Sequence, residues 1–368
     1  MKLVMVMKIR DEIDVVERTL AYHLARGADQ WIVTDNGSTD GTLEVLKRYE
    51  SARLLKLIEE PGEDFRTEAH GWVTRMARLA ATEMRADWVA HVDADEFWWP
   101  ASGSLKQALA EIPGEYGVVL APRPEFAPRP GGGDWWERMT IRERRSRLRP
   151  KIAHRAEPDV VLHRGAHDVD IEGEAGGSKH AGRAVMRAVK EDADVAAEGR
   201  LVWAPVFPAR VMHFPIRSFE QYKRRVETTL FHGGFEDRAH DDLRAAYDEG
   251  RLPELYEKLT LDDAEARRGI AEGRLVKDTR IREFLHACPD PLGGGAVGSG
   301  APIREGTAAE QRAELAEIRH DAMQTLARTQ RSLTRQLDNF RERVAKQRKR
   351  IRKAEGGGRL RRLVRRGG

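Results

Sequence analysis

The stretch WVAHVDADEFWWP, residues 88–100, runs a hydrophobic strand pattern into three carboxylates, Asp93, Asp95 and Glu96, and leaves through two tryptophans. Carboxylates at that density repel one another and lose hydration at a strand end. Their placement therefore requires a cation or several hydrogen-bond donors. An EF-hand loop is excluded, because the segment lacks glycine at its sixth position and glutamate at its twelfth.

Outward from this stretch, apolar runs at 2–7, 31–34, 53–58 and 88–92 read as four strands. Helical spacing over 14–26, 42–50 and 67–85 separates them, with Gly27 as a C-cap. Such alternation implies βαβ units. The fold class is α/β, a Rossmann-like, mostly parallel sheet with flanking helices. Past Pro100 the pattern loosens. A helix at 104–112 and a strand at 117–121 lead into the proline- and glycine-rich PRPEFAPRPGGGDWW. KIAHRA and VVLHRGAHDV read as short strands, and 170–200 as a polar surface excursion. FPARVMHFPIRSFEQYKRRVETTL returns to a strand and a helix capped by Ser218, and 236–288 is mostly helical.

Open parallel sheets present ligands to the loops at the C-terminal ends of their strands. Two such loops here are acidic, DNGSTDGT after the second strand and DADEFWW after the fourth. Asp35 and Asn36 offer hydrogen bonds to a nucleobase or ribose, Gly37 permits a tight turn, and Asp40 caps the next helix. Asp93 and Asp95 can both reach one divalent ion, Mg²⁺ or Mn²⁺, which would neutralise a diphosphate. Trp98 and Trp99 divide between packing under the sheet and stacking on a sugar. His91 faces the core, and the arginines from Arg142 to Arg149 form a solvated charge run.

KIRDEIDVVERTLAYHLARGADQWIVTDNGSTDGT, taken with DWVAHVDADEFWWP, resembles a family 2-type glycosyltransferase of the GT-A fold, in the branch with a D-x-D-E-F motif. The resemblance covers about 1–235 and extends more weakly to RGAHDV and VMHFPIRSFEQYKRRV. This chain has Asp11 where the common form of the first loop has Asn. The resemblance implies a nucleotide-sugar donor, held at the nucleoside by the first loop, Arg10 and Glu12, with Asp35 and Asn36. It implies a metal and diphosphate on Asp93 and Asp95, with His213 completing the metal site and Lys223 and Arg217 reaching the diphosphate. It implies an inverting, in-line transfer to a glycan, lipid-linked or small-molecule acceptor, as in surface polysaccharide synthesis. Asp168 and His167 are the candidate bases.

The chain has 368 residues and one cysteine, which excludes an internal disulfide and a thiolate metal cluster. No apolar run approaches a membrane span, and the N-terminus lacks a signal-peptide pattern, so a cytoplasmic protein is expected. The net charge of +4 hides an asymmetry. Residues 302–368 hold 19 basic and 8 acidic side chains, net +11, which leaves about −7 for the body. No nucleic-acid partner is expected. A GT-A domain at 1–235, a helical addition at 236–289, a flexible linker at 290–302, a coiled coil at 303–355 and a basic tail at 356–368 complete the expected organisation. Met323, Leu326, Gln330, Leu333, Leu337, Phe340, Val344, Gln347 and Ile351 follow heptad spacing and imply a homo-oligomer. The tail could touch anionic lipid at the inner membrane face.

Two rival readings remain at this level. A sugar-1-phosphate nucleotidyltransferase would carry a glycine-rich basic loop after the first strand, which KIRDE is not. A scaffold would depend on the coiled coil, so deletion of 302–368 is expected to spare an enzyme's turnover and abolish a scaffold's function.

Overall fold

The computed structural model describes residues 1–62, 69–163, 167–171, 204, 207–232, 238–288, 290–293, 307–325, 327–328 and 331. Residues up to Thr325 form one compact unit. The second unit begins at Leu326, and its described residues, 327, 328 and 331, are helical. The polar excursion at 172–200, most of the linker, the heptad positions beyond Met323 and the basic tail lie outside the described residues.

The central sheet has six strands in the order β3-β2-β1-β4-β8-β6. These are β1 (Leu3–Ile9), β2 (Gln30–Asp35), β3 (Leu55–Glu59), β4 (Trp88–His91), β6 (Val118–Ala121) and β8 (Lys151–Arg155). The first four pair in parallel, joined by the helices α1 (Val16–Ala25), α2 (Thr42–Ser51) and α3 (Ala69–Thr82). β8 runs antiparallel to both β4 and β6. β1 and β4 are buried from end to end apart from one partly exposed lysine, as a sheet covered on both faces requires. Strand order reverses between β1 and β4, which is where a doubly wound sheet opens a crevice at its C-terminal edge.

A second layer was not expected from the sequence. The segment after the acidic turn is itself a strand, β5 (Glu96–Pro100), paired antiparallel with β11 (Ala209–His213) so that His213 lies opposite Glu96. Both tryptophans pack. Trp98 is fully buried and donates its indole N–H to the His91 carbonyl at 3.0 Å, while Trp99 lies under the Arg26 and Arg280 guanidiniums. The expected sugar-stacking role for one of them is therefore not available. Phe97, Phe126 and Phe214 interlock beneath, Phe126 and Phe214 stacking at 4.1 Å. Arg142, on β7 (Ile141–Glu143), is no solvated charge: it is buried and donates to Asp278 at 2.7 Å.

KIAHRA and VVLHRGAHDV do form short strands: β8, β9 (Val160–His163) and β10 (Asp168–Ile171). The helix Phe219–His232 packs through Tyr222, Val226 and Leu230 onto Leu252 and its neighbours, so a buried cluster crosses the expected boundary at 235. Among the described residues no helix is long and apolar enough to cross a membrane.

Candidate active site

The loops after β1 and β4, the segment after β6, the end of β11 and the helix Phe219–His232 enclose a cleft of about 430 Å³. That is ample for a nucleotide-sized ligand. Its lining includes Lys8, Arg10, Asp11, Glu12, Asp93, Asp95, Arg123, Glu125, Leu148, His213, Gln221, Arg224, Arg225, Thr228 and Thr229.

The acidic turn is built by its neighbours. α1 grips it from below. Thr19 donates to the Ala94 carbonyl at 2.5 Å, Tyr22 donates to the Trp98 carbonyl at 2.9 Å, and the Trp98 N–H donates to His23 at 3.2 Å. Glu96 closes the turn, accepting from the Asp93 N–H at 2.8 Å. It is fully buried and answered by two cations, Arg123 at 2.5 Å and Lys151 at 3.1 Å. Lys151 also holds Asp93 at 2.7 Å. Burial alone would raise the Asp93 carboxyl, but Lys151, with Lys8 and Arg123, holds it far below the ordinary carboxylate range. Asp93 nevertheless keeps 41% of its side chain exposed in the cleft.

Asp95 has a separate set of partners. Its carboxylate lies 3.4 Å from His213 Nε2 and 3.7 Å from both Arg217 and Arg225. Against burial, His213 and the two arginines depress its pKa. His213 Nδ1 faces Glu125 at 3.3 Å, and the two carboxylates, opposing burial, push the imidazole pKa up. Main-chain bonds fix this register: Phe126 N–H donates to the His213 carbonyl at 2.8 Å, and His213 N–H to the Pro124 carbonyl at 3.2 Å.

Arg217 lies beneath, fully buried. It grips Asp14 with two bonds of 2.7 and 3.1 Å and also pairs with Glu12. It supports the first loop and stands behind Asp95, where the resemblance had it reaching a diphosphate directly. Burial, opposed by Arg217 and aided by Asp95 and Asp14, pushes the Glu12 carboxyl up to about 7.

The residues expected to read the nucleoside behave differently. Asp35 turns its carboxylate into its own loop, accepting from Gly37 N–H at 2.9 Å, Ser38 N–H at 3.0 Å and the Ser38 hydroxyl at 2.5 Å. Gly37 sits at φ 70, the left-handed region such a turn needs. Asn36 is spent on Arg10, Glu60 and Gly62. Arg10 and Glu12 do face the cleft. Asp11 braces the loop by accepting from Thr39 N–H at 2.7 Å.

Lys223 is exposed and pairs along its helix with Glu227 at 3.9 Å; Arg224 and Arg225 line the cleft in its place. His167 lies near Lys151, and its Nδ1 is bonded to the Pro150 carbonyl at 2.8 Å. Burial, with Lys151 and Arg123, pushes its pKa down to about 3, so it is a weak proton acceptor. Asp168 starts β10, with its backbone opposite His163. Its side chain lies outside the described residues.

Arg123, Glu125 and Arg225, which line the cleft, and Lys151, which holds Asp93 and Glu96, were not singled out by sequence reasoning. Arg123 and Glu125 sit in PRPEF directly after a strand, a position of the same kind that singled out the acidic turn.

A metal ion fits part of this arrangement. Two donors on one ion at about 2.1 Å stand roughly 3 Å apart, close to the 3.4 Å between Asp95 and His213 Nε2. Glu125 on the opposite ring nitrogen supplies the orienting contact a metal-bound histidine needs. Among the described residues no group of three or more His, Cys, Asp or Glu side chains is gathered closely enough to hold an ion.

Residues 4–169 match the family model described as glycosyl transferase family 2. Among solved structures, S. aureus TarS 1-349 in complex with UDP-GlcNAc is similar at 14% identity and a TM-score of 0.34, over 90% of this chain and 92% of that one. Glucosyl-3-phosphoglycerate synthase from Mycobacterium tuberculosis, in complex with Mn²⁺, UDP and glucosyl-3-phosphoglycerate, is similar at 14% identity and a TM-score of 0.31. That likeness covers 64% of this chain and 81% of that one. The chain spans 43% of the length of a further S. aureus TarS structure, at 15% identity, a TM-score of 0.31 and 68% of its own length. No curated protein sequence matches. Residues 4–169 are therefore similar to glycosyl transferase family 2, and the resemblance read from the sequence has its counterpart in that match.

Proposed function

We propose that the cleft binds a nucleoside-diphosphate sugar, and that the protein transfers its sugar to an acceptor hydroxyl with inversion at the anomeric carbon. The observation that carries this reading is the meeting of Asp93, Asp95 and His213 with Lys8, Arg10, Arg224 and Arg225 in one cleft at the C-terminal edge of the parallel strands. Carboxylates and imidazole suit a divalent cation, and the basic side chains suit phosphate.

Asp95 and His213, 3.4 Å apart, would hold Mn²⁺ or Mg²⁺, and Asp93 would join them by giving up its contact with Lys151. When bound, the ion would offset negative charge on the departing diphosphate. Arg225 and Arg224 orient the diphosphate from the facing helix, and Arg10 and Glu12 meet the nucleoside end. The acceptor oxygen forms its bond to the anomeric carbon as the bond to the diphosphate oxygen breaks. The hydroxyl proton passes to a carboxylate. Asp168 is the base in this proposal. His167 is a poor second, because its pKa near 3 and its fixed Nδ1 leave little proton affinity. Assembly through the heptads, a glycan-building role, and a cytoplasmic site with peripheral contact at the inner membrane face belong to the same proposal.

Calorimetric titration with UDP, GDP, dTDP and CDP, with and without Mn²⁺, tests it. Metal-dependent binding of one diphosphate, lost in Asp95→Asn, is expected. The reading is abandoned if none binds under either condition.

A further inference from the structure

The sequence reading treats everything after the linker as dispensable for turnover. Residues 307–325, however, pack within the same compact unit as the cleft. Thr307 and Glu310 form a reciprocal capping box, Thr307 N–H donating to Glu310 at 2.6 Å and Glu310 N–H to Thr307 at 3.3 Å, and the helix 308–325 follows. Ile318, Asp321, Ala322 and Thr325 are buried on one stripe, which is not the heptad stripe that opens at Met323.

Two polar anchors run from this stripe to two neighbouring segments that line the cleft, 122–126 and β11. Asp321 accepts from the Ser146 N–H at 2.8 Å. The Ser146 hydroxyl donates to the Arg123 carbonyl at 2.8 Å and accepts from the Arg123 N–H at 3.2 Å. Arg123 is the cation on Glu96 and stands 3.8 Å from Asp93. Leu148, two residues past Ser146, lines the cleft. On the adjoining strand, Glu314 pairs with Arg210 at 2.8 Å, and Glu317 stands 3.5 Å from it. Arg210 is fully buried on β11, three residues before His213.

We propose that helix 308–325 is a positioning element of the donor site, Asp321 setting Arg123 through Ser146 and Glu314 setting His213 through Arg210. This inference rests on the reading of the cleft as a nucleoside-diphosphate site. A helix that merely filled space would need neither carboxylate. The bond from the buried Ser146 N–H to Asp321 is directional, the Glu314–Arg210 contact is an attraction between charges, and a small shift of either moves a charged cleft residue. Burial pushes the Asp321 carboxyl up, so a neutral carboxamide of the same shape suits the position.

Full-length Asp321→Ala, Asp321→Asn and Ser146→Ala are compared with wild type by calorimetry against the four nucleoside diphosphates with Mn²⁺, well below each variant's melting temperature. Asp321→Ala is expected to weaken binding about tenfold. Asp321→Asn keeps an accepting oxygen and is expected to return within about threefold of wild type. Ser146→Ala leaves the helix contact to the main chain and is also expected to weaken binding about tenfold, so it decides the matter if Asp321→Ala does not fold. Lower melting temperatures with unchanged affinity in both alanine variants would reduce the helix to a structural prop and overturn the inference. Asp321→Asn binding as weakly as Asp321→Ala would overturn the hydrogen-bond route. Wild type binding none of the four would remove the donor reading and this inference together, an outcome distinct from a difference between variants.

Discussion

Lys151→Met separates the two demands on the acidic turn. Lys151 is 1% exposed and touches Asp93 at 2.7 Å and Glu96 at 3.1 Å. At an effective dielectric near 20, a pair at the shorter distance attracts by about 6 kcal/mol, before the cost of burying the ammonium is deducted. Breaking a buried pair from one side typically costs about 3–5 kcal/mol. The lower end applies here, because Asp93 has an open face and can hydrate, and Glu96 keeps Arg123 and a backbone N–H. Stability should therefore fall by about 3 kcal/mol in urea unfolding. Mn²⁺ affinity should move the other way. The lysine competes with any divalent ion for the Asp93 carboxylate, and freeing a fraction of that attraction, about 1.4 kcal/mol, strengthens binding about tenfold. Titration of free Mn²⁺ followed by electron paramagnetic resonance reads this directly. A folded Lys151→Met protein with unchanged or weaker Mn²⁺ affinity would refute the placement of a metal on Asp93.

Arg225→Gln should weaken nucleoside-diphosphate binding about tenfold, whereas Lys223→Gln should stay within about twofold; equal effects would mean that the helix presents a different face to ligand. Asp35→Ala removes the acceptor of three loop hydrogen bonds and should cost about 2–4 kcal/mol in stability, with diphosphate affinity kept at low temperature. Preserved stability with lost binding would restore its nucleoside-reading role. Burial pushes His23 and His154 down to about 3 and 4, and His167 also sits near 3. The unfolded chain takes up protons near pH 6.5 that the native state refuses, so their stability is present above that pH and lost on acidification, by about 2 kcal/mol per histidine at pH 5. Glu12, raised to about 7, and His213, also raised, act oppositely and lose stability as the pH rises, but they are two groups against four once His91, held low by burial, is counted. A urea midpoint unchanged between pH 7 and pH 5 would contradict this balance.

The parallel half of the sheet was legible because its signals are local. Apolar runs and helical spacing within 92 residues place β1 to β4 and the helices between them. The β5–β11 pair was not, since its strands lie more than a hundred residues apart and a tryptophan-rich EFWWP reads as loop or core alike. Two features of the site's geometry were also legible. D-N-G-S is the pattern of an aspartate that caps its own turn, and that is what Asp35 does. The apolar stripe Tyr222, Val226, Leu230 fixes the phase of its helix and turns Gln221, Arg224, Arg225 and Thr228 to the cleft, leaving Lys223 outside it.

The charge of WVAHVDADEFWWP is resolved by division of labour. Glu96 is spent inside the fold, binding Arg123, Lys151 and the backbone of its own turn. Asp95 is half structural, braced by His213, Arg217 and Arg225 yet turned to the cleft. Asp93 is neutralised from behind by Lys151 and exposed in front. A sequence can show that three carboxylates need answering. It cannot show that the cations come from β8, from the segment after β6 and from a distant helix, because nothing near Arg123, Lys151 or Arg225 marks them as partners of that turn. Pairing each acid with a cation from a different element makes the turn a meeting point of the whole fold. Loosening any one of those elements then reaches Asp93 or Asp95, which is why a change as remote as Asp321 is expected to register in the cleft.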